Sequence, residues 1–147
     1  HTDKLDFMRS LGADHVIDYT REDFTKTGNQ YELIFDLIAH HPVSAVQKAL
    51  QPNGTYFFIG GSVRILFQIL LLGASIKRKT TKNIRLLGVQ QSREDLIAVT
   101  KLCTTGKIRP VIDKQFAFAE LPEALRYVVD GRAQGKVVIS LDSNIDA

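Results

Sequence analysis

The sequence has a single cysteine and no long apolar run. The single thiol, Cys103, excludes an internal disulfide and a cysteine-rich zinc site, and its place in a helical pattern favours a small core residue over a reactive thiol. No apolar run reaches the roughly 20 residues that a membrane-spanning helix needs, and no secretory signal is found. We therefore expect a protein of a reducing compartment, by default the cytoplasm, with no membrane partner.

The common phosphate-binding, catalytic and metal-binding sequence motifs are also missing. Gly60-Gly61 is the only adjacent glycine pair and does not fit G-x-G-x-x-G, and no phosphate-binding loop or Ser/His/Asp arrangement is found. His40 and His41 have no third ligand at a useful spacing, so a loop or helix start is expected there and no metal site. The net charge of +3 is too small to indicate a nucleic-acid partner, and a basic patch over residues 77–85 is a weak alternative.

What the sequence does contain is a regular alternation of helical and strand patterns, which predicts an α/β fold with a mostly parallel, doubly wound sheet. Within the predicted strand of residues 31–38, a nearly continuous apolar run at residues 33–38 is typical of a strand covered on both faces. Pro42 and Pro122 suit the first turns of helices, and Ser92 with Asp95 resembles a capping box. The predicted strands cover residues 15–19, 31–38, 55–59, 85–89, 111–118 and 136–141. Three leucine or valine positions of the helix after Ser92 are expected to face inward, namely Leu96, Val99 and Leu102.

The stretch from Leu11 to Tyr19 joins a helix to one of these strands. Gly12 stands where a helix C-terminal cap requires positive φ, and Val16 and Ile17 are β-branched. Tyr19 closes the predicted strand at its carboxyl end, and ligands of open α/β sheets bind outside such ends. The stretch therefore predicts a ligand-contacting rim near Tyr19.

Several blocks of the sequence together resemble one protein family. They are Thr2-Asp3-Lys4, residues 11–19, residues 50–55, residues 106–113 and residues 134–138. In this order they resemble the cofactor domain of the medium-chain dehydrogenase/reductase superfamily, and within it the quinone oxidoreductase-like branch. The resemblance implies a Rossmann-like domain. Because no strand and no glycine-rich turn precede the first helix, we expect residues 1–147 to be the C-terminal portion of such a domain, without the N-terminal GroES-like catalytic domain.

The resemblance also implies a set of cofactor contacts. A basic residue at Lys4 is placed to meet the 2′-phosphate of NADPH, with the Thr2 hydroxyl beside it, although Asp3 favours a ribose hydroxyl and a solvated lysine is the plain alternative. Tyr19 is implied to flank the adenine, or else to be an edge aromatic. Gly60 and Gly61 are implied to contact the cofactor, and the alternative is a simple turn. Gln90 is a further implied contact, with Gln91 beside it. Arg132 is implied to contact the cofactor phosphates, and the alternative is a surface arginine.

The function implied is transfer of hydride from NADPH to a quinone, enone or aldehyde without a metal. The cofactor would supply the chemistry, and no catalytic residue is assigned in this chain. By itself the chain is expected to be inactive, because the phosphate-binding helix start is missing. The apolar run of residues 63–72 suits a buried helix or a dimer interface. The resemblance also implies that the edge strand near the fourth predicted strand joins the sheets of two subunits, so a homodimer is expected. The alternative is a non-catalytic Rossmann-like remnant that acts as a dimerisation or partner-binding module.

Overall fold

The computed structural model of the chain describes residues 2–88, 90 and 92–141, which divide into two compact units, His1–Gln90 and Gln91–Ala147. The first unit contains α1 (Leu5–Ser10), β1 (Tyr31–Asp36), α2 (Val43–Ala49), β2 (Leu50–Phe58), α3 (Val63–Lys79) and β3 (Asn83–Leu86). The second contains α4 (Arg93–Thr104), β4 (Ile112–Ala117), α5 (Leu121–Val129) and β5 (Lys136–Ser140). Short 3-10 turns lie at Thr2–Lys4, Phe24–Lys26 and Phe118–Glu120.

The first unit is built on a three-stranded parallel sheet in the order β1-β2-β3. The helices α2 and α3 connect its neighbouring strands, and Ile34, Tyr56 and Ile84 lie side by side across it. Crossovers of this kind are right-handed in nearly all proteins, so two successive crossovers in one direction place both helices on one face. The α/β, parallel fold expected from the alternation of helices and strands is confirmed.

The core of this unit lies between the sheet and the two crossover helices. Helix α3 contributes Ile65, Ile69 and Ile76, which are spaced so that they share one face of a helix with 3.6 residues per turn. The buried residues of the whole core are Ala39, Val43, Val46, Leu50, Tyr56, Phe58, Ile65, Ile69 and Ile76. The opposite face of the sheet carries Leu33 and Phe35, which remain about half exposed. Phe35 stacks on Phe57 there, with ring centroids 5.3 Å apart.

The second unit pairs β4 with β5 in parallel, and α5 makes the crossover. Its buried apolar residues are Phe116 on β4 and Ala124 on α5. The predicted helix starts are confirmed in this unit. The Ser92 side chain accepts a hydrogen bond from the Asp95 N–H at the start of α4, and Pro122 lies in the first turn of α5.

Three predictions of local structure are wrong. Residues 15–18 form no strand, because a strand requires a ladder partner and none of the described segments pairs with them. Helix α4 buries none of its residues: Leu96 is 66% exposed and Val99 50%. Helix α3 continues to Lys79, past the apolar run of residues 63–72 and through the polar, basic residues that follow it in the sequence, since Ile76 packs into the core.

Strand boundaries differ from prediction by a few residues. Strand β2 begins at Leu50, five residues early, and a register shift between Tyr31 and Leu33 accommodates the turn-like Pro52-Asn53-Gly54 segment. Strand β3 covers Asn83–Leu86, and the predicted strand end at Val89 lies outside the described residues. None of the helices in the described ranges has the length and apolar character needed to cross a bilayer.

Candidate functional site

The carboxyl ends of β1 and β2 are fastened to each other by main-chain hydrogen bonds. The carbonyl oxygen of Asp36 accepts from the Ile59 N–H at 2.9 Å. The Ala39 N–H donates to the Gly60 carbonyl at 2.9 Å, and the Ser62 N–H donates to the Ala39 carbonyl at 3.0 Å. This is the edge at which open α/β sheets bind their ligands, and here main-chain hydrogen bonds hold the two strand ends together.

The glycine pair at this edge is required by the close passage of the two segments. Gly61 has φ of +133°, and a Cβ there would overlap the main-chain nitrogen and oxygen of Ala39. A Cβ at Gly60 would lie 2.9 Å from the Leu37 carbonyl oxygen. Glycine at both positions therefore has a structural reason within the chain itself. Contact of Gly60 and Gly61 with a cofactor stays a prediction.

The segments that carry Lys4 and Tyr19 are joined by a hydrogen bond. The Thr2 hydroxyl donates to the Asp18 carboxylate at 2.5 Å. This bond, together with one from the Thr20 hydroxyl, lowers the pKa of Asp18 from 3.8 to about 2. Lys4, at the end of the first turn, is half-buried, and Tyr19 follows Asp18 with its side chain 62% exposed. An exposed ring of this kind is suited to stacking on a planar base.

Two further predicted contacts lie elsewhere in the chain. Gln90 is exposed, while its neighbour Gln91 lies outside the described residues. Arg132 belongs to the second unit, where its guanidinium lies 4.9 Å from the ring centre of Tyr127 and forms an ion pair with Asp130 at 3.4 Å. Gln90 and Arg132 belong to different units, and the contact of either residue with a cofactor stays a prediction.

Tyr127 holds this part of the second unit together. Its hydroxyl donates to the Asp113 carboxylate at 2.9 Å, and the same carboxylate oxygen accepts from the Gln134 N–H at 2.9 Å. The ammonium of Lys114 lies 4.8 Å from the ring centre. The hydrogen bond to Asp113 raises the pKa of Tyr127, because it stabilises the protonated phenol.

A cavity lies beyond the ends of β1 and β2, at the start of α3; we call it the Arg64 cavity. Its volume is about 200 Å³, and its walls are formed by His40, Pro42, Ser62, Arg64, Ile65 and Gln68. Gln68 and Ser62 are fixed by the main chain: Gln68 Oε1 accepts from the Val43 N–H at 3.2 Å, and Ser62 Oγ accepts from the Arg64 N–H at 3.3 Å. The cavity therefore combines fixed polar groups with one permanent positive charge.

The sequence pattern does not predict this cavity. From the sequence, a loop or helix start and no metal site are expected at His40, and no role is assigned to Arg64 or Gln68. The available signal was positional, since His40 follows β1 and Arg64 follows β2, and parallel strands bring their carboxyl ends to one edge. The spacing of 24 residues between His40 and Arg64 conceals their proximity in a one-dimensional pattern.

The described residues do not fit a zinc ion. Within residues 2–88, 90 and 92–141 there is no group of three or more His, Cys, Asp or Glu side chains that could hold one. The rings of His40 and His41 contact each other at a tilt of 39°, with centroids 4.1 Å apart, and His41 Nδ1 faces Asp23 at 3.7 Å. No step of chemistry is assigned to a metal in this chain.

Comparison with known proteins shows similarity along nearly the whole chain. A family model described as "Zinc-binding dehydrogenase" matches residues 11–139. The chain is 34% identical to a tomato (Solanum lycopersicum) 2-methylene-furan-3-one reductase and 29% identical to an Arabidopsis thaliana chloroplastic NADPH-dependent alkenal/one oxidoreductase, in each case over 94% of the chain. It spans 31% of the length of each of these relatives.

The fold is similar to that of solved structures as well. A quinone oxidoreductase from Coxiella burnetii superposes with a TM-score of 0.74 at 22% identity, covering 95% of this chain and 43% of the other. At that identity the likeness concerns the fold, and it agrees with the parallel α/β arrangement described above.

Proposed function

Because the chain belongs to the zinc-binding dehydrogenase family, we propose that it forms part of an NADPH-dependent oxidoreductase that delivers hydride to a quinone or enone-type acceptor. The observation that carries the proposal is the match over 94% of the chain to relatives named as a furanone reductase and an NADPH-dependent alkenal/one oxidoreductase. Both names describe reduction of small conjugated carbonyl compounds, so a small-molecule substrate of that class is proposed.

The residues of this chain would bind and orient the cofactor. NADPH supplies the hydride when bound, and the protein's contribution is position and charge. Lys4 and Thr2 are proposed to meet the 2′-phosphate and Tyr19 to flank the adenine, and the hydrogen bond from Thr2 to Asp18 supports this because it joins the two segments concerned. Gly60, Gly61, Gln90 and Arg132 are proposed as further contacts.

The remainder of the catalytic apparatus is proposed to lie outside these residues. The chain spans about a third of the relatives' length. Residues 1–147 are accordingly proposed to be the C-terminal portion of a cofactor domain, inactive by itself and active with a GroES-like catalytic domain. A cytoplasmic location is proposed as well.

Calorimetric titration of the 147-residue chain with NADPH and NADH tests the cofactor assignment. We expect NADPH to bind more tightly than NADH, and the variant Lys4→Gln to lose about tenfold in NADPH affinity with little change for NADH, as expected for one charged contact to a phosphate. Lys48→Gln, an exposed lysine on α2, is the matched control. Equal affinities for NADPH and NADH would contradict the proposed preference for NADPH. Rapid NADPH oxidation by the chain with a quinone would contradict the proposed inactivity of the chain by itself.

One observation favours the alternative of a dimerisation module. Helix α3 exposes an apolar stripe opposite its buried face, formed by Val63, Phe67, Leu70 and Leu71 at helical spacing. Such a stripe suits a second copy of the chain, and the proposed homodimer would use it. Sedimentation of the double variant Phe67→Lys/Leu71→Lys should give a monomer, while Leu96→Lys on α4 should leave the dimer intact. Dimerisation without any cofactor binding at millimolar concentration would favour the module over the enzyme portion.

A further inference from the structure

We propose that the Arg64 cavity is a binding site for a small oxyanion, of which inorganic phosphate is the simplest example. This inference rests on the charge and the hydrogen-bond donors of the cavity, and it does not require the cofactor assignment. It concerns a set of side chains that the sequence pattern did not assign to any ligand.

The charge of the cavity favours an anion. Arg64 is the permanently charged residue among the lining side chains, and it makes no ion pair with any residue that the structure describes. No aspartate or glutamate is among the six lining residues. The carboxylate nearest to His40 along the chain has another partner: Asp36 accepts from the Tyr56 hydroxyl at 3.1 Å. Asp23, which faces the neighbouring His41, forms an ion pair with Lys26 at 3.1 Å.

The hydrogen bonds that fix the polar side chains determine which atoms remain for a ligand. A main-chain N–H can only donate, so the amide atom of Gln68 that faces the Val43 N–H is the oxygen Oε1. The NH₂ group of the same amide is then available to donate to a ligand. By the same reasoning, Ser62 Oγ is the acceptor for the Arg64 N–H, and its hydroxyl hydrogen is not used in that bond.

His40 is oriented in the same way. A carbonyl oxygen can only accept, so the contact of His40 Nδ1 with the Ile38 carbonyl at 3.2 Å places a hydrogen on Nδ1. The ring is thereby held beside the cavity with Nε2 as its other nitrogen. The cavity thus has donors from Arg64, Gln68 and Ser62, and the three lie on one helix and its cap.

The cavity has room for a small anion. Its volume of about 200 Å³ is several times the roughly 30 Å³ that one water molecule takes up in the liquid. The cavity is partly open to solvent, so its donors select an oxyanion and its volume sets no upper limit on the ligand. The positive end of the 17-residue helix α3 adds to the attraction.

The test is a titration of the ¹⁵N-labelled 147-residue chain with inorganic phosphate at constant ionic strength. We expect saturating shifts of the Ser62 and Arg64 amides and of the Gln68 side-chain NH₂ group, with a dissociation constant near 1 mM, as for a few charge-assisted hydrogen bonds. Absence of saturation at about 50 mM phosphate would overturn the proposal.

Two variants decide whether the cavity is responsible. Gln68→Glu keeps an oxygen to accept from the Val43 N–H but replaces the donor with a negative charge, and Arg64→Gln removes the positive charge. Each should weaken phosphate binding at least about tenfold, whereas Arg78→Gln, at the far end of the same helix, should leave it unchanged. If both cavity variants bind phosphate as the original chain does, the proposal is wrong, and the second variant keeps the test valid if the first does not fold.

The same amides identify the source of the anion. If a free oxyanion is the ligand, NADPH leaves these amides unshifted while phosphate moves them. If the cavity receives a phosphate group of the cofactor, NADPH moves them and Gln68→Glu abolishes the effect. Failure of the cofactor assignment therefore remains distinguishable from failure of this inference, because phosphate binding to the cavity is measured without any nucleotide.

Discussion

The hydroxyl of Tyr56 donates a hydrogen bond to the Asp36 carboxylate at 3.1 Å from within the core of the first unit. Tyr56 is completely excluded from solvent, and both side chains lie on the sheet face that α2 and α3 cover. The bond satisfies a hydroxyl that would otherwise be buried without a partner, and it fixes the carboxylate at the end of β1. The core of the protein and the ligand edge of its sheet are thus connected through one side-chain pair.

The variant Tyr56→Phe should lower the free energy of unfolding by about 1–2 kcal/mol, because a hydrogen bond to a carboxylate is lost while the ring still fills its site. Urea denaturation at neutral pH measures this. Tyr31→Phe is the matched control, since the Tyr31 ring contacts Phe24 and its hydroxyl makes no hydrogen bond among the described residues. An unchanged urea midpoint for Tyr56→Phe would contradict the prediction.

Tyr56 also makes stability depend on pH in the alkaline range. Burial, and then the nearby Asp36 charge, raises the pKa of Tyr56 above its ordinary value of 10.0. The unfolded chain therefore loses this proton first, so the stabilisation is complete below pH 10 and is lost as the pH rises further. Tyr56→Phe should make the decline in unfolding free energy between neutral pH and about pH 11 less steep. An equally steep decline would show that Tyr56 is not its source.

Two aspartates in the first unit provide a crossed test of the hydrogen bonds at the candidate rim. The pKa of Asp18 is lowered to about 2 mainly by the Thr2 hydroxyl, and that of Asp23 to about 2 mainly by the Thr25 hydroxyl. Thr2→Ala should raise the pKa of Asp18 alone, and Thr25→Ala that of Asp23 alone. Carboxyl-carbon NMR titration measures both values in one sample, so each variant is the control for the other.

The consequence for stability follows from the direction of these shifts. Each carboxyl group has a lowered pKa in the folded chain, so its stabilisation is present above the ordinary value of 3.8 and is lost as the pH falls toward about 2. Thr2→Ala should therefore reduce the steepness of acid unfolding in this window. If the Asp18 pKa does not move in Thr2→Ala, the link between the Lys4 and Tyr19 segments is absent in solution.

The close contact between the main chains of Ala39 and Gly61 predicts how a substitution at Gly61 changes the free energy of unfolding. Gly61→Ala should lower the free energy of unfolding by more than about 3 kcal/mol, because its Cβ would overlap the Ala39 main chain and its φ of +133° is strained for any other residue. Gly88→Ala is the control at the end of β3, where a Cβ would have no neighbour within 4 Å.

Gly88→Ala should change the free energy of unfolding by no more than about 1 kcal/mol. Thermal and urea denaturation compare the two variants directly. Similar stabilities would mean that the two strand ends are not in contact in solution, and the hydrogen-bonded edge would then be wrong.

In the second unit, the hydrogen bond between Tyr127 and Asp113 should be visible in the ultraviolet titration of the phenols. The bond raises the pKa of Tyr127, so Asp113→Ala should lower that pKa toward its ordinary value of 10.0. Tyr127→Phe identifies the transition, because it removes this phenol from the titration curve. An unchanged titration in Asp113→Ala would indicate that the hydrogen bond does not form.

Much of the local structure could be predicted because it depends on neighbours in the chain. The caps at Ser92 and Pro122 and the positive φ of Gly12 follow from residues within one or two helical turns. The parallel class of the sheet followed from alternation alone. These features require no knowledge of what lies across the fold.

Other predictions did not hold because they required partners distant in sequence. Val16 and Ile17 have strand propensity but no strand to pair with among the described residues, and Leu96 has helical periodicity without a covering surface. Propensity describes what a segment can form, whereas pairing and burial depend on whether another segment arrives beside it.

The order of the elements and the chemistry of their ends were therefore decided by the sequence, through short-range steric and capping preferences. The tertiary structure alone decided that Gly61 passes against Ala39 and that His40, Arg64 and Gln68 surround one cavity. The physical reason is that a parallel crossover brings together residues about 20 to 30 positions apart, and no periodic pattern along the chain records which of them will meet.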